Sequence, residues 1–174
     1  MRHVVIALLL VSGVASPAAA QRRARAERAA VPPSREAIDE FVVTVRDMAA
    51  WALVTPAAHI PVGGIEDSSG YVATVVGPPK DPSASPDSVL ALFRRTLGVG
   101  ARRARARTIG LAYLVLQVPP QGTSAIEVVA VEVEHRSGFR ANVYFPYIRD
   151  EERRPVFSEP FSLPGTLRVI GARP

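Results

Sequence analysis

The chain has 174 residues, 48% of them hydrophobic, with 21 Lys or Arg against 16 Asp or Glu and a formal net charge of +5. That length suits one domain with a real core, and the apolar fraction excludes a wholly disordered chain. With no cysteine, disulfides, Cys-ligated zinc, iron–sulfur clusters, a cysteine nucleophile and a lipid-bearing N-terminal cysteine are all excluded.

Residues 1–20 read as a cleaved signal peptide. Met1-Arg2-His3 supplies a positive start, Val4 to Val14 is apolar, and the small residues Ala18 and Ala20 predict cleavage before Gln21. The run holds Ser12 and Gly13 and stops at Pro17, too short to span a bilayer. No later run reaches spanning length, since Gly110, Tyr113 and Gln117 interrupt Thr108 to Val118. The expectation is an exported protein, periplasmic or secreted, with no membrane span after cleavage. Residues 21–33 form a basic tail rich in Arg, Ala and Pro, and residues 34–174 form a single α+β domain.

Within that domain, Ile38, Phe41, Val42, Val45 and Ala49 trace one stripe of a 3.6-residue period. Ser34 is the predicted cap, and Pro56 ends the helix near Val54. Trp51 falls away from the stripe, beside Thr44 and Asp47. It reads either as an exposed aromatic anchor or as a ring covered by the Pro56–Pro61 segment; local cover is the expectation. Residues 54–86 form a long Pro- and Gly-rich connection, in which Pro61–Glu66 and Tyr71–Val76 are predicted to pair as an edge hairpin.

Ser85-Pro86 opens a second helix carrying Val89, Leu90, Phe93 and Leu97, with Gly98 as the predicted stop. Ile109 to Val118 is nearly continuous apolar sequence, the pattern of a strand covered on both faces. Ala125 to His135 and Phe139 to Tyr147 then alternate. A three-residue loop with Gly138 left-handed pairs Glu134 with Arg140, Glu132 with Asn142, Val133 with Ala141 and Val131 with Val143. Other loop lengths flip one strand to the wrong face. Reciprocal exchange of the charges at 134 and 140 is therefore expected to restore stability lost in either single variant. Pro155 to Phe161 reads as an edge strand and Thr166 to Ile170 as a short last one. The whole is an α+β fold: an antiparallel meander of four to five strands with two helices packed on one face.

The chemistry is sparse. Glu132, Glu134 and His135 resemble a ligand cluster, but strand alternation sends the acids and the histidine to opposite faces, which leaves a solvated hairpin end. His59 with Glu66 and Asp67 is the one weak catalytic candidate, with Gly63-Gly64 allowing close approach of a ligand. Nucleophile-elbow, phosphate-loop, dinucleotide and H-E-x-x-H signatures are absent. Arg102, Arg103, Arg105 and Arg107 are a candidate anion site in the linker between helix and strand. Only alanines interleave them, so nucleic acid is not an expected partner. No metal or cofactor is assigned. The reading is a non-catalytic exported module that binds a protein or an anionic envelope component. A hydrolase-like enzyme using the His59 loop, or an anionic-surface binder using Arg102–Arg107, is the alternative.

Overall fold

The computed structural model describes residues 34–55, 61–77 and 84–170, all in the compact unit Pro33–Pro174. Helix α1 (Arg35–Val54) starts where the Ala37 N–H donates to Ser34 Oγ at 3.1 Å and stops before Thr55-Pro56, as predicted. Strands β1 (Val62–Glu66) and β2 (Val72–Val76) form the hairpin expected inside the proline-rich connection. Helix α2 (Pro86–Ala104) opens on Pro86 with Ser85 as its cap. After it come β3 (Thr108–Gln117), β4 (Ile126–His135), β5 (Arg140–Arg149), β6 (Pro155–Phe157) and β7 (Phe161–Pro164). All pair antiparallel in one seven-stranded sheet of order β2-β1-β3-β4-β5-β6, with β7 also on β5. The class is α+β. The strand count exceeds the expected four to five because the hairpin joins the meander and the outermost strand is split.

The helices lie on opposite faces, not on one. A Cβ at Gly63 would stand 3.0 Å from Leu97 and 3.2 Å from Phe93 of α2. One at Gly64 would stand 3.0 Å from Val45 and 3.4 Å from Phe41 of α1. Neighbouring residues of a strand face opposite ways, so each glycine seats a different helix. The Gly63-Gly64 pair thus admits two helices and not a ligand. Strand β3 requires this arrangement because both its faces are apolar. Ala112 and Leu114 enter the cluster under α1, while Ile109, Leu111 and Tyr113 enter the one under α2.

The glycines of α2 do similar work. The helix runs through Gly98, where a Cβ would lie 3.1 Å from Val169, and Gly100, where it would lie 2.7 Å from Ile65. It ends instead at Arg105, left-handed with φ 51°, whose N–H turns back to the Arg102 carbonyl at 3.3 Å.

The β4–β5 register is the predicted one, with Glu134 opposite Arg140, Glu132 opposite Asn142, Val133 opposite Ala141 and Val131 opposite Val143. Gly138 has φ 93°, and its N–H closes a turn on the His135 carbonyl at 2.9 Å. The hairpin end is not solvated, however. Glu132, Glu134 and His135 are 2%, 1% and 4% exposed. Glu134 is covered because the chain after β7 leaves the sheet instead of adding the strand expected at Thr166–Ile170. It crosses close over β5 at Gly165, and Leu167 and Val169 pack into the α2 cluster. Glu134 Oε2 accepts the Val169 N–H and, at 2.9 Å, the Ile170 N–H, while Arg140 Nη2 donates to Oε1 at 3.0 Å. Glu132 Oε1 accepts from Arg94 Nη2 at 2.7 Å and from Tyr113 Oη at 2.8 Å. Burial first, then the Glu132 charge, pushes the Tyr113 phenol well above its ordinary pKa.

Two outcomes follow for unfolding in urea. Gly63→Ala sets a Cβ 2.8 Å from the Gly110 carbonyl oxygen, and Gly110→Ala sets one 2.9 Å from Phe41 and Val45. Each is expected to destabilise by about 1–3 kcal/mol, the first more because backbone yields less than a side chain. Glu134→Ala is expected to cost about 3–5 kcal/mol. The exchange E134R/R140E is expected not to recover it, since arginine at 134 cannot accept the Val169 and Ile170 N–H groups. Full recovery would show that the C-terminal contacts carry no weight.

Candidate binding site at the sheet edge

The weak catalytic trio does not assemble from the described residues. His59 lies outside them. Glu66 accepts from Arg107 Nη2 and Thr108 Oγ1. Asp67 Oδ1 caps its own turn, accepting the Ser69 N–H at 2.7 Å and hydroxyl at 2.5 Å and the Tyr71 N–H at 3.2 Å. The Ser69 hydroxyl, then its backbone N–H, holds that carboxyl below its ordinary pKa. Glu66 therefore holds the hairpin to the start of β3, while Asp67 holds the hairpin's own turn.

The arginine run is also divided. Arg107, read as part of an anion site, is the partner of Glu66. Arg102 and Arg103 are not in a linker but in the last turn of α2, where cations complement the helix dipole, and Arg105 is the left-handed residue beyond it. These three are exposed.

His135 is a closing piece of the hairpin. Its Nδ1 accepts the Ser137 N–H at 3.0 Å and lies 2.9 Å from Ser137 Oγ. Burial, then the Arg107 charge, lowers its pKa. Alternation does separate it from Glu132 and Glu134, and among the described residues no three or more His, Asp and Glu gather as metal ligands. Asn142, beside Glu132 in the ladder, keeps its Nδ2 3.5 Å from Thr166 Oγ1, and its Oδ1 has no partner among the described residues.

The two edges of the sheet differ. Beyond β5, Tyr147 pairs with Phe157 and Tyr144 with Phe161, so Ser158, Glu159 and Pro160 oppose only Phe145 and Pro146. One extra residue, Pro155, Pro160 and Pro164, and the Glu159 charge blunt this edge against further pairing. Within its described stretch the β2 edge has none of these devices, and Pro78, Pro79 and Lys80 follow it in the sequence. Tyr71-Val72-Ala73-Thr74-Val75-Val76 carries no charge and no proline.

The ladder phase shows what this edge presents. The Gly77 N–H donates to the Pro61 carbonyl at 2.8 Å, and the Asp67 N–H donates to the Tyr71 carbonyl at 3.0 Å. With Thr74 opposite Gly64, residues 71, 73, 75 and 77 bond inward to β1. Val72, Thr74 and Val76 therefore aim their N–H and C=O outward. Among the described residues no strand takes them up. Their side chains point to the α1 face, where a Cβ at Gly64 would touch Val72 at 3.3 Å.

Above that edge lies a groove of about 520 Å³, walled by Thr44, Asp47, Met48 and Trp51 of α1 and floored by Val62, Thr74 and Val76. Residues 56–60 of the segment expected to cover Trp51 lie outside the described residues, and Trp51 is 55% exposed. Its flank of α1 overhangs the last strand, where the layer below ends. On the other flank, Arg46 lies over Phe145 and Phe157, 5.4 and 5.0 Å from the ring centroids. The helical wheel had placed Trp51 with Thr44 and Asp47. The sequence signal of this edge is the charge-free, proline-free stretch 71–76, which no functional motif marks.

No protein-family profile, no curated protein and no solved structure matches the chain.

The His135 environment sets a pH dependence. An unfolded histidine protonates near pH ~6.5, whereas the buried ring binds its proton only at lower pH. Between those two values the unfolded chain holds more protons, so stability is expected to fall as pH drops below about 6.5. His135→Asn keeps an acceptor for the Ser137 N–H and removes the titration. Thermal melts of both proteins should diverge as the pH is lowered from 7, with the variant flatter. Parallel curves would remove His135 from the balance.

Proposed function

We propose that the protein is an exported, non-catalytic binding module that captures an extended segment of a partner protein as an added strand on β2. The observation that carries this reading is the open β2 edge, whose outward backbone groups run directly beneath the Trp51 groove. Backbone pairing with Val72, Thr74 and Val76 supplies affinity that is blind to side chains. The groove supplies selectivity. Side chains of an added strand that stand opposite Val72, Thr74 and Val76 share their face, so every second residue of the partner enters the apolar space beside Trp51 and Met48. Met48 is unbranched and adapts to different occupants. Thr74 Oγ1, 3.7 Å from Met48 Sδ, marks the polar point of the floor. Export is supported by residues 1–20 of the sequence, and the engaged state of Glu66 and Asp67 favours binding over hydrolysis.

The test is selection of displayed random nonapeptides on the purified protein. Enriched peptides are expected to be free of proline and to carry β-branched or aromatic residues at alternate positions. Binding should shift the fluorescence of Trp51, the sole tryptophan of the chain, to shorter wavelength. Thr74→Pro deletes an outward N–H without touching the β1 ladder and should weaken binding about tenfold or more. Enrichment without alternation, or affinity indifferent to Thr74→Pro, would overturn the proposal.

A further inference from the structure

We infer that the strand this edge accepts is the β2 of a second copy, giving a two-fold dimer with one continuous sheet. The inference rests on the strand-capture reading and names its occupant. Place a two-fold axis beside Thr74, with β2 and the second β2 antiparallel. Thr74 then meets Thr74 of the other copy, Val72 meets Val76, and Val76 meets Val72. These are the residues whose N–H and C=O point outward, so every outward donor finds an outward acceptor and none is left over. Shifting the register by one residue, which moves the axis by half a residue, faces outward groups with inward ones. Sliding it farther leaves outward groups unpaired at both ends.

The side chains agree with that register. On the groove face the rungs are Val–Val, Thr–Thr and Val–Val, and on the other face Ala73 stands against Val75. No charge lies on either strand, so no like charges are opposed. At each end Tyr71, 68% exposed in one chain, stands against Gly77 of the other, a bulky ring over a residue with no side chain. Gly77 is fixed as glycine for a separate reason, since a Cβ there would lie 2.5 Å from the Pro61 carbonyl. The Val76–Val72 rung also lies beside Trp51, so the added strand extends the floor under the exposed indole. The surface is self-complementary, as an isologous interface requires. The opposite edge, with its extra residue and prolines, cannot compete for the same pairing.

Sedimentation velocity across a wide concentration range, with Trp51 emission followed in parallel, tests this. The expected result is a monomer–dimer equilibrium in which dimer formation moves the emission to shorter wavelength. Thr74→Pro should raise the dimer dissociation constant about a hundredfold, because it removes both bonds of the central rung and crowds its neighbour. The cysteine-free background allows a second measurement that does not depend on the proline variant folding. Thr74→Cys should cross-link to itself on oxidation, the Cα atoms of such a rung lying about 5.5 Å apart. Val76→Cys should not, because its partner is position 72. A protein that stays monomeric, a dimer indifferent to Thr74→Pro, or cross-linking at 76 in place of 74 would overturn the inference. A monomer that still selects alternating peptides would remove the second copy and leave strand capture standing. A dimer cross-linked at 74 that selects no peptide would do the reverse.

Discussion

Everything in this fold depends on the burial of one sheet from both sides. Strand β3 has no polar face to offer water, so a helix must cover each side of it. Two helices can approach that closely only where side chains are missing, and the adjacent glycines of β1 clear one seat on each face. The positions of α1 and α2 follow, and so do their consequences at the margins. A helix centred over β1 and β3 overhangs β2, which is how a tryptophan off the main stripe comes to stand above the outermost strand of the described residues. Core and candidate site are therefore not separate designs: the same helix placement that closes the middle of the sheet opens the groove at its border.

The acids of β4 show how composition can mislead about environment. Glu132 and Glu134 alternate with valines, and alternation alone assigns such residues to water. They are buried because other parts of the chain bring them donors: Arg94 from α2, Tyr113 from β3, Arg140 from across the hairpin, and two backbone N–H groups after β7. A buried carboxylate with several donors adds less net stability than an apolar group would, but losing one donor is costly. Here the arrangement fixes which C-terminal path the chain takes over the α2 face.

Local rules were readable from the residues, and long-range ones were not. Ser34, Pro56, Ser85 and Pro86 act on their own neighbours, so helix limits at those points were legible. The β4–β5 register was legible because charge and apolar pairing agree on one loop length. Gly98 was misread because a glycine that ends a helix and one that lets a helix touch Val169 look alike in sequence. The faces of the two helices depend on which glycine meets which stripe, information held by residues far apart in the chain. The candidate site was half visible: the wheel grouped Trp51 with Thr44 and Asp47, but its floor depends on β2 being outermost among the described strands, which is a property of topology.

The clamp on Glu134 has a bearing on when the molecule becomes itself. Its carboxylate is complete only when the backbone at Val169 and Ile170 arrives, thirty-five and thirty-six residues farther along. A chain that emerges from a ribosome N-terminus first has every helix and strand of the described residues available while this acid still lacks its last donors. The finished packing of the α2 face is thus withheld until Val169 and Ile170 have emerged.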